Sequence, residues 1–141
     1  MAASALVDTG ALLALLDRDD PWHARCVSSF ESLRPPLLSS AAVLAELFHL
    51  IGSDRRDVSA AWHFLQTGAV TIGAIADEDF GALAALMDRY HDRPMDLADA
   101  TLVHLAERES LLTVLTTDND DFETYRIRGR TRFRVLPGRR P

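Results

Sequence analysis

Lysine is absent from this 141-residue chain, so every one of its 15 basic residues is arginine. Cysteine is almost absent. Cys26 stands alone, which excludes an internal disulfide and reads as a small core residue in a reducing compartment. No uninterrupted apolar run reaches the roughly 18 residues that a membrane span needs. The opening residues carry no basic region, and Asp8 breaks the first apolar stretch, so a secretory signal is not expected and a cytoplasmic location is. Neither a G-x-G-x-x-G turn nor a P-loop is present, which sets aside the nucleotide-binding modules built on them. The five histidines include no His-x-x-x-His pair, so zinc is not indicated, and His49 and His104 read as core or surface residues.

What is present fits one soluble globular domain over residues 1–141, with 48% hydrophobic and 26% charged residues. The net charge of −6 argues at first against a nucleic-acid partner. Its distribution matters more: seven arginines fall between Arg126 and Arg140, while the acids lie mainly earlier. Such a chain can carry an acidic pocket beside a basic rim.

Ser4 to Asp8 reads as a short buried strand, followed by a helix over Ala11 to Asp17. A helix from Pro21 to about Leu33 comes next, then a strand fragment at Leu37 and Leu38. Ser39 or Ser40 can cap a helix that runs to Ile51 and stops at Gly52. Further helices are predicted over Asp54 to Gln66, Ala76 to Tyr90 and Asp96 to Glu109. Strands are predicted at Val70 to Ile72, Leu111 to Leu115 and Phe133 to Leu136, with a loop over Thr116 to Phe122. The alternation implies an α/β domain with a short, mainly parallel sheet, whose ligands bind at the carboxyl ends of the strands.

Four places put an acid where a solvated surface would not require one. Asp8 closes an apolar strand, and Glu46 sits among apolar neighbours on a helix. Asp96 and Asp99 open an otherwise apolar helix, and Asp118 follows a strand after Thr116 and Thr117. Each has an ordinary alternative: a helix cap for Asp8, favourable placement at a helix start for Asp96 and Asp99, a turn for Asp118. Their joint placement weighs more, because Asp8 and Asp118 share one sheet edge and Asp96 and Asp99 share one helix face. Carboxylates crowded into one cleft would repel each other and protonate unless a cation compensates them. Oxygen ligands without thiolates select Mg²⁺ or Mn²⁺, and such ions promote phosphodiester hydrolysis.

Val7-Asp8-Thr9-Gly10, Glu46 within Val43-Leu-Ala-Glu-Leu47, Asp96-Leu-Ala-Asp-Ala100 and Thr116-Thr-Asp-Asn-Asp-Asp-Phe122 resemble the successive acidic motifs of PIN domains. The opening from Asp8 to Asp17, and on through Asp20-Pro-Trp-His23, resembles that of VapC-type ribonuclease toxins. The likeness runs from about Leu6 to Leu136. It implies a single PIN-like three-layer α/β/α domain that cleaves RNA with Mg²⁺ or Mn²⁺. It also implies a homodimer silenced by a cognate antitoxin, as the toxin of a toxin–antitoxin pair. On the matching positions, Asp8, Glu46, Asp99 and Asp118 form the catalytic acid cluster. Asp8, Asp99 and Asp118 would hold the metal, directly or through water, and Glu46 and Asp96 would orient or deprotonate the attacking water or support a second ion. Thr9 and Thr117 take the place of hydroxyl residues flanking the metal-binding acids. Within the last motif, Asp120 or Asp121 could replace Asp118 as the inward acid.

Arg126, Arg128, Arg130, Arg132 and Arg134 alternate, so an extended segment would show them on one face. They suit either a charged edge protected against aggregation or a surface for RNA or the antitoxin, with Arg126, Arg128 and Arg130 as the candidates. The rival readings are a non-catalytic PIN-like module that binds RNA or protein, and a phosphatase-like domain. The second usually needs another acid two residues after its nucleophilic aspartate, and Asp8-Thr-Gly10 lacks one.

Overall fold

The computed structural model describes residues 2–139. Strand β1 (Leu6–Val7) is fully buried and turns at Asp8 into helix α1 (Thr9–Leu16). Helix α2 (His23–Ser32), strand β2 (Leu37–Ser39), helices α3 (Ala41–Ile51) and α4 (Arg55–Gln66) and strand β3 (Val70–Ile72) follow. A 3-10 turn at Asp77–Asp79 leads into α5 (Phe80–Arg89), then α6 (Leu97–Glu109), β4 (Thr113–Thr116) and the short helix α7 (Asn119–Thr124). Beyond it come a hairpin of β5 (Arg126–Ile127) and β6 (Thr131–Arg132) and a last strand, β7 (Arg134–Pro137).

The five sheet strands are ordered β3-β2-β1-β4-β7, and every pairing is parallel. Leu6, Val7, Leu37, Val114 and Leu115 are almost wholly excluded from solvent, as expected for short apolar strands covered on both faces. Helices flank this sheet in the three-layer arrangement. Helix α6 packs against α3 and α5 and buries Ala98, Ala100, Leu102, Val103, Leu105 and Ala106 around most of its circumference. Truncating a side chain such as Leu102 there costs about 2–5 kcal/mol.

From β1 the chain winds outward to β2 and β3, then returns to the other side for β4 and β7. The winding reverses between β1 and β4. In open parallel sheets, the crevice beyond the carboxyl ends of two such strands is where ligands sit. Asp8 follows β1 there, and Thr116 ends β4.

Two expectations are corrected. The segment Thr116 to Phe122 is not all loop, because Asp118 caps α7 by accepting from the Asp121 amide at 3.1 Å, and Asp120 and Asp121 fill the acidic first turn. The alternating arginines do not lie along one strand either. Arg128 and Gly129 both have positive φ, 54° and 70°, and fold the segment into the antiparallel hairpin β5–β6, so that Arg126 and Arg132 stand opposite each other and Arg128 and Arg130 fall in the turn. Elsewhere the caps follow expectation: Ser40, Asp54 and Asp96 accept amide hydrogen bonds at the starts of α3, α4 and α6. Among the described residues, no helix is long and apolar enough to cross a membrane.

Candidate active site

Asp8 stands where β1 becomes α1, and only 7% of its surface is exposed. Its amide donates to the Leu115 carbonyl at 3.0 Å, which ties it to β4. Its Oδ1 accepts from the Thr9 amide at 2.8 Å, and its Oδ2 from the Thr116 hydroxyl at 3.0 Å. The same hydroxyl accepts from the Asp118 amide at 2.9 Å, so Thr116 joins the ends of both strands. Burial pushes the Asp8 carboxyl up to about 6, against the lowering pull of Thr9 and Thr116, and the charges of Glu46 and Asp118 raise it further.

Asp99 enters from α6 and is 8% exposed. Its amide donates to Asp96 Oδ1 at 2.8 Å, so Asp96 both caps the helix and adds a charge beside it. The Asp99 carboxylate accepts from the Tyr125 hydroxyl at 2.8 Å through Oδ2. Burial pushes this carboxyl up to about 8, and the charge of Asp8 adds to the rise, followed by those of Asp96 and Asp121. Tyr125 is itself fully buried, in edge-to-face contact with Tyr90 and Phe122 at centroid distances of 5.0 and 5.3 Å. Burial and the Asp99 carboxylate hold its phenol above the ordinary range, so it acts as a neutral donor.

The remaining acids surround this pair less tightly. Asp118 is exposed at the start of α7, and its carboxyl is raised by partial desolvation and by its hydrogen bond with Asp121. Asp121 is half-buried and pairs with Arg93 at 3.0 Å, while its charge still reaches Asp99 and Asp118. Asp120 is turned outward onto Arg139, which lowers its carboxyl. Glu46 is half-buried on α3, with its charge reaching Asp8.

Thr9 is buried, and its hydroxyl approaches the Val43 carbonyl at 3.5 Å. The hydroxyl on Asp8, however, belongs to Thr116 and not to Thr117. Thr117 lies against Gly10 instead, so closely that a Cβ on residue 10 would collide with its Oγ1. Neither Thr116 nor Tyr125 was singled out from sequence. Thr116 is the last residue of β4, one position past the Val7–Leu115 pair and so level with Asp8, whereas Thr117 lies beyond the strand. Tyr125 lies beyond all four acidic motifs and left no signal.

The candidate arginines are tied to the fold. Arg126 Nη1 donates to the carbonyls of Glu123, Thr124 and Tyr125 at the end of α7. Arg128 holds Glu107 through its amide and guanidinium, and Arg130 is exposed on the hairpin. Cys26 is buried, its thiol pushed up to about 11 mainly by burial, as suits a structural residue. His104 pairs with Asp79 at 2.9 Å.

The donor set bears directly on a metal. Asp8 and Asp99 are buried acids, the charge of Asp8 adds to the cost of ionising Asp99, and no ion pair reaches either among the described residues. A divalent cation is the counter-charge such a pair lacks, and all the available ligands are oxygens. Among the described residues, no three acidic, histidine or cysteine side chains stand close enough to enclose an ion directly. Mg²⁺ commonly uses one or two carboxylates and keeps several waters, so it does not require three direct carboxylate ligands.

Comparison with known proteins agrees with this layout. The sequence pattern of the PIN domain matches residues 5–127. The chain is 33% identical over 142 aligned residues to Ribonuclease VapC26 of Mycobacterium tuberculosis, covering 94% of this chain and 99% of that protein. Its fold is similar to the crystal structure of Mycobacterium tuberculosis VapC20, a sarcin–ricin loop cleaving toxin, with a TM-score of 0.72 and 24% identity over 83% of this chain and 92% of the other. PAE2754 from Pyrobaculum aerophilum gives a TM-score of 0.51 with 21% identity, covering 85% and 84% of the two chains. A buried acid pair at the sheet's switch point and a sequence match spanning nearly the whole chain lead to one assignment: this protein belongs to the PIN domain family.

Proposed function

We propose that the protein is a Mg²⁺- or Mn²⁺-dependent endoribonuclease that acts as the toxin of a toxin–antitoxin pair. The observation that carries the reading is the buried pair Asp8 and Asp99, two raised carboxyls at the strand switch point without a cationic partner among the described residues. Likeness to a ribonuclease over nearly the full chain supports RNA as the substrate. A bound divalent ion would supply Lewis acidity toward the phosphoryl oxygen and lower the pKa of a nearby water.

Asp8, Asp99 and Asp118 are the residues that would hold that ion, directly or through water. Thr116 orients Asp8 through Oδ2, and Tyr125 orients Asp99 through Oδ2. Glu46, with its carboxylate near Asp8, would position or deprotonate the attacking water, and Asp96 supports Asp99 from the helix start. A toxin needs an antidote, which supports a cognate antitoxin as partner. The exposed side chains Ile72, Phe80 and Leu97 line one apolar groove, surface of the kind a second protein chain covers, and this supports the homodimer that the family likeness implies.

One observation favours the alternative of a non-catalytic binding module: among the described residues, no three acids are set closely enough for direct three-ligand coordination. Digestion of total RNA with Mn²⁺ and with EDTA separates the two. Cleavage is expected with Mn²⁺ and not with EDTA, and Asp8→Asn should abolish it while the far-UV CD spectrum stays unchanged. An unmodified protein that binds RNA but never cuts it, with any divalent ion, would establish the binding module instead.

A further inference from the structure

We propose that Arg139 grips a backbone phosphate of the RNA beside the acid site, presented there by a tail that Arg25 latches in place. The inference rests on the ribonuclease reading and adds to it a residue that positions the substrate. Strand β7 runs parallel to β4 with Pro137 opposite Thr116, so the tail leaves the sheet at the edge where Asp8 and Asp118 lie. Arg25 on α2 holds that tail by its backbone. Its Nη2 donates to the Gly138 and Arg139 carbonyls at 2.6 and 3.0 Å, with a longer contact of 3.4 Å to the Pro137 carbonyl. Its guanidinium also lies 4.8 Å from the centre of the Trp22 ring.

Because Arg25 holds the tail by its backbone carbonyls, the anchoring of the tail does not use the Arg139 side chain. That side chain bridges Asp120 and Glu123 on the outer face of α7 and remains more than half exposed. Together with Thr117, Asp118, Asn119 and Asp120 it lines one recess. The guanidinium forks onto Glu123 and also meets Asp120, but all three side chains are open to solvent, so these ion pairs are screened by salt. A guanidinium fork matches phosphate as well as carboxylate, so a phosphodiester can take the place of Asp120 and Glu123. Arg126 and Arg128 differ, since their guanidinium groups hold main-chain carbonyls of the fold.

An acid cluster in a chain of net charge −6 repels the polyanion it would have to cut, and an exposed positive charge lining the same recess as Asp118 offsets that repulsion. The alternative is that Arg139 only fastens α7. The two differ in sign. If the ion pairs merely fasten α7, Arg139→Gln and Asp120→Asn/Glu123→Gln should both weaken RNA binding. If Arg139 is a phosphate grip, removing its internal partners should strengthen binding.

The probe is a fluorescein-labelled single-stranded oligoribonucleotide, followed by anisotropy in EDTA over a salt series and by KM and kcat with Mn²⁺. Arg139→Gln should weaken binding about tenfold, the loss of one charge-assisted contact. It should lower the slope of log affinity against log salt by about 0.7 and raise KM with kcat unchanged. Asp120→Asn/Glu123→Gln should tighten binding, and the gain should vanish when Arg139→Gln is added. Parent-like affinity, slope and KM in Arg139→Gln would overturn the inference alone, as would a gain that persists without Arg139. A parent that neither binds nor cuts RNA would take down the inference together with the ribonuclease reading.

Discussion

The two halves of the acid site contain the same kind of side chain and treat it in opposite ways. Asp8 and Asp99 are buried, held by neutral hydroxyl donors, and their carboxyls are pushed up to about 6 and about 8. Asp120, on α7, is open to solvent, paired with Arg139, and lowered. The difference is one of solvation and partner, not residue type. It teaches that clusters of acids in a sequence are not equivalent: those denied both water and a cation store the electrostatic cost that a metal can relieve.

The sharpest way to break this comparison is to neutralise one member of the inner half. Asp99→Asn should reduce RNA cleavage by on the order of 10³-fold, since it removes a ligand from an ion that supplies several kcal/mol of charge stabilisation. Cleavage assays at saturating Mn²⁺ would test this, and a loss under threefold would remove Asp99 from the ligand set. Next in size is the support behind the ligand. Tyr125→Phe deletes the donor to Asp99 and should lower activity about 10–100-fold while weakening Mn²⁺ affinity, a change that titration calorimetry can follow.

The smallest effect concerns stability. The folded values of Asp8 and Asp99 lie above their ordinary 3.8, so the metal-free fold binds these protons more tightly than the unfolded chain does. Their contribution is complete below about pH 3.8 and is lost as pH rises through about 6 and then about 8. In EDTA, the melting temperature is therefore expected to fall by on the order of 10–20 °C between pH 5 and pH 8, and Asp99→Asn should flatten that fall. Thermal scans that show equal pH dependence in parent and variant would mean that Asp99 is ionised without cost.

Several parts of this site could be read from residues alone because their signals are local. Asp8 after Leu6 and Val7, and Asp96 before an apolar helix, are placed by patterns a few residues long. The start of α7 was missed because Asp118-Asn-Asp-Asp reads equally as a turn, and only the Asp118 cap on the Asp121 amide decides for a helix. The alternating arginines misled for a similar reason. Alternation implies one face only if the chain stays extended, and Arg128 and Gly129 turn it back.

What the sequence determined by itself is the order of the strands and helices apart from α7 and the β5–β6 hairpin, and the presence of acids in apolar settings, since both depend on hydrophobic periodicity and on caps within a turn of their helix. Only the tertiary structure decided which of those acids are buried together and what holds them. Thr116 reaches Asp8 across 108 positions and Tyr125 reaches Asp99 across 26. Burial and contact at such separations are set by strand order and helix packing, which no local pattern encodes.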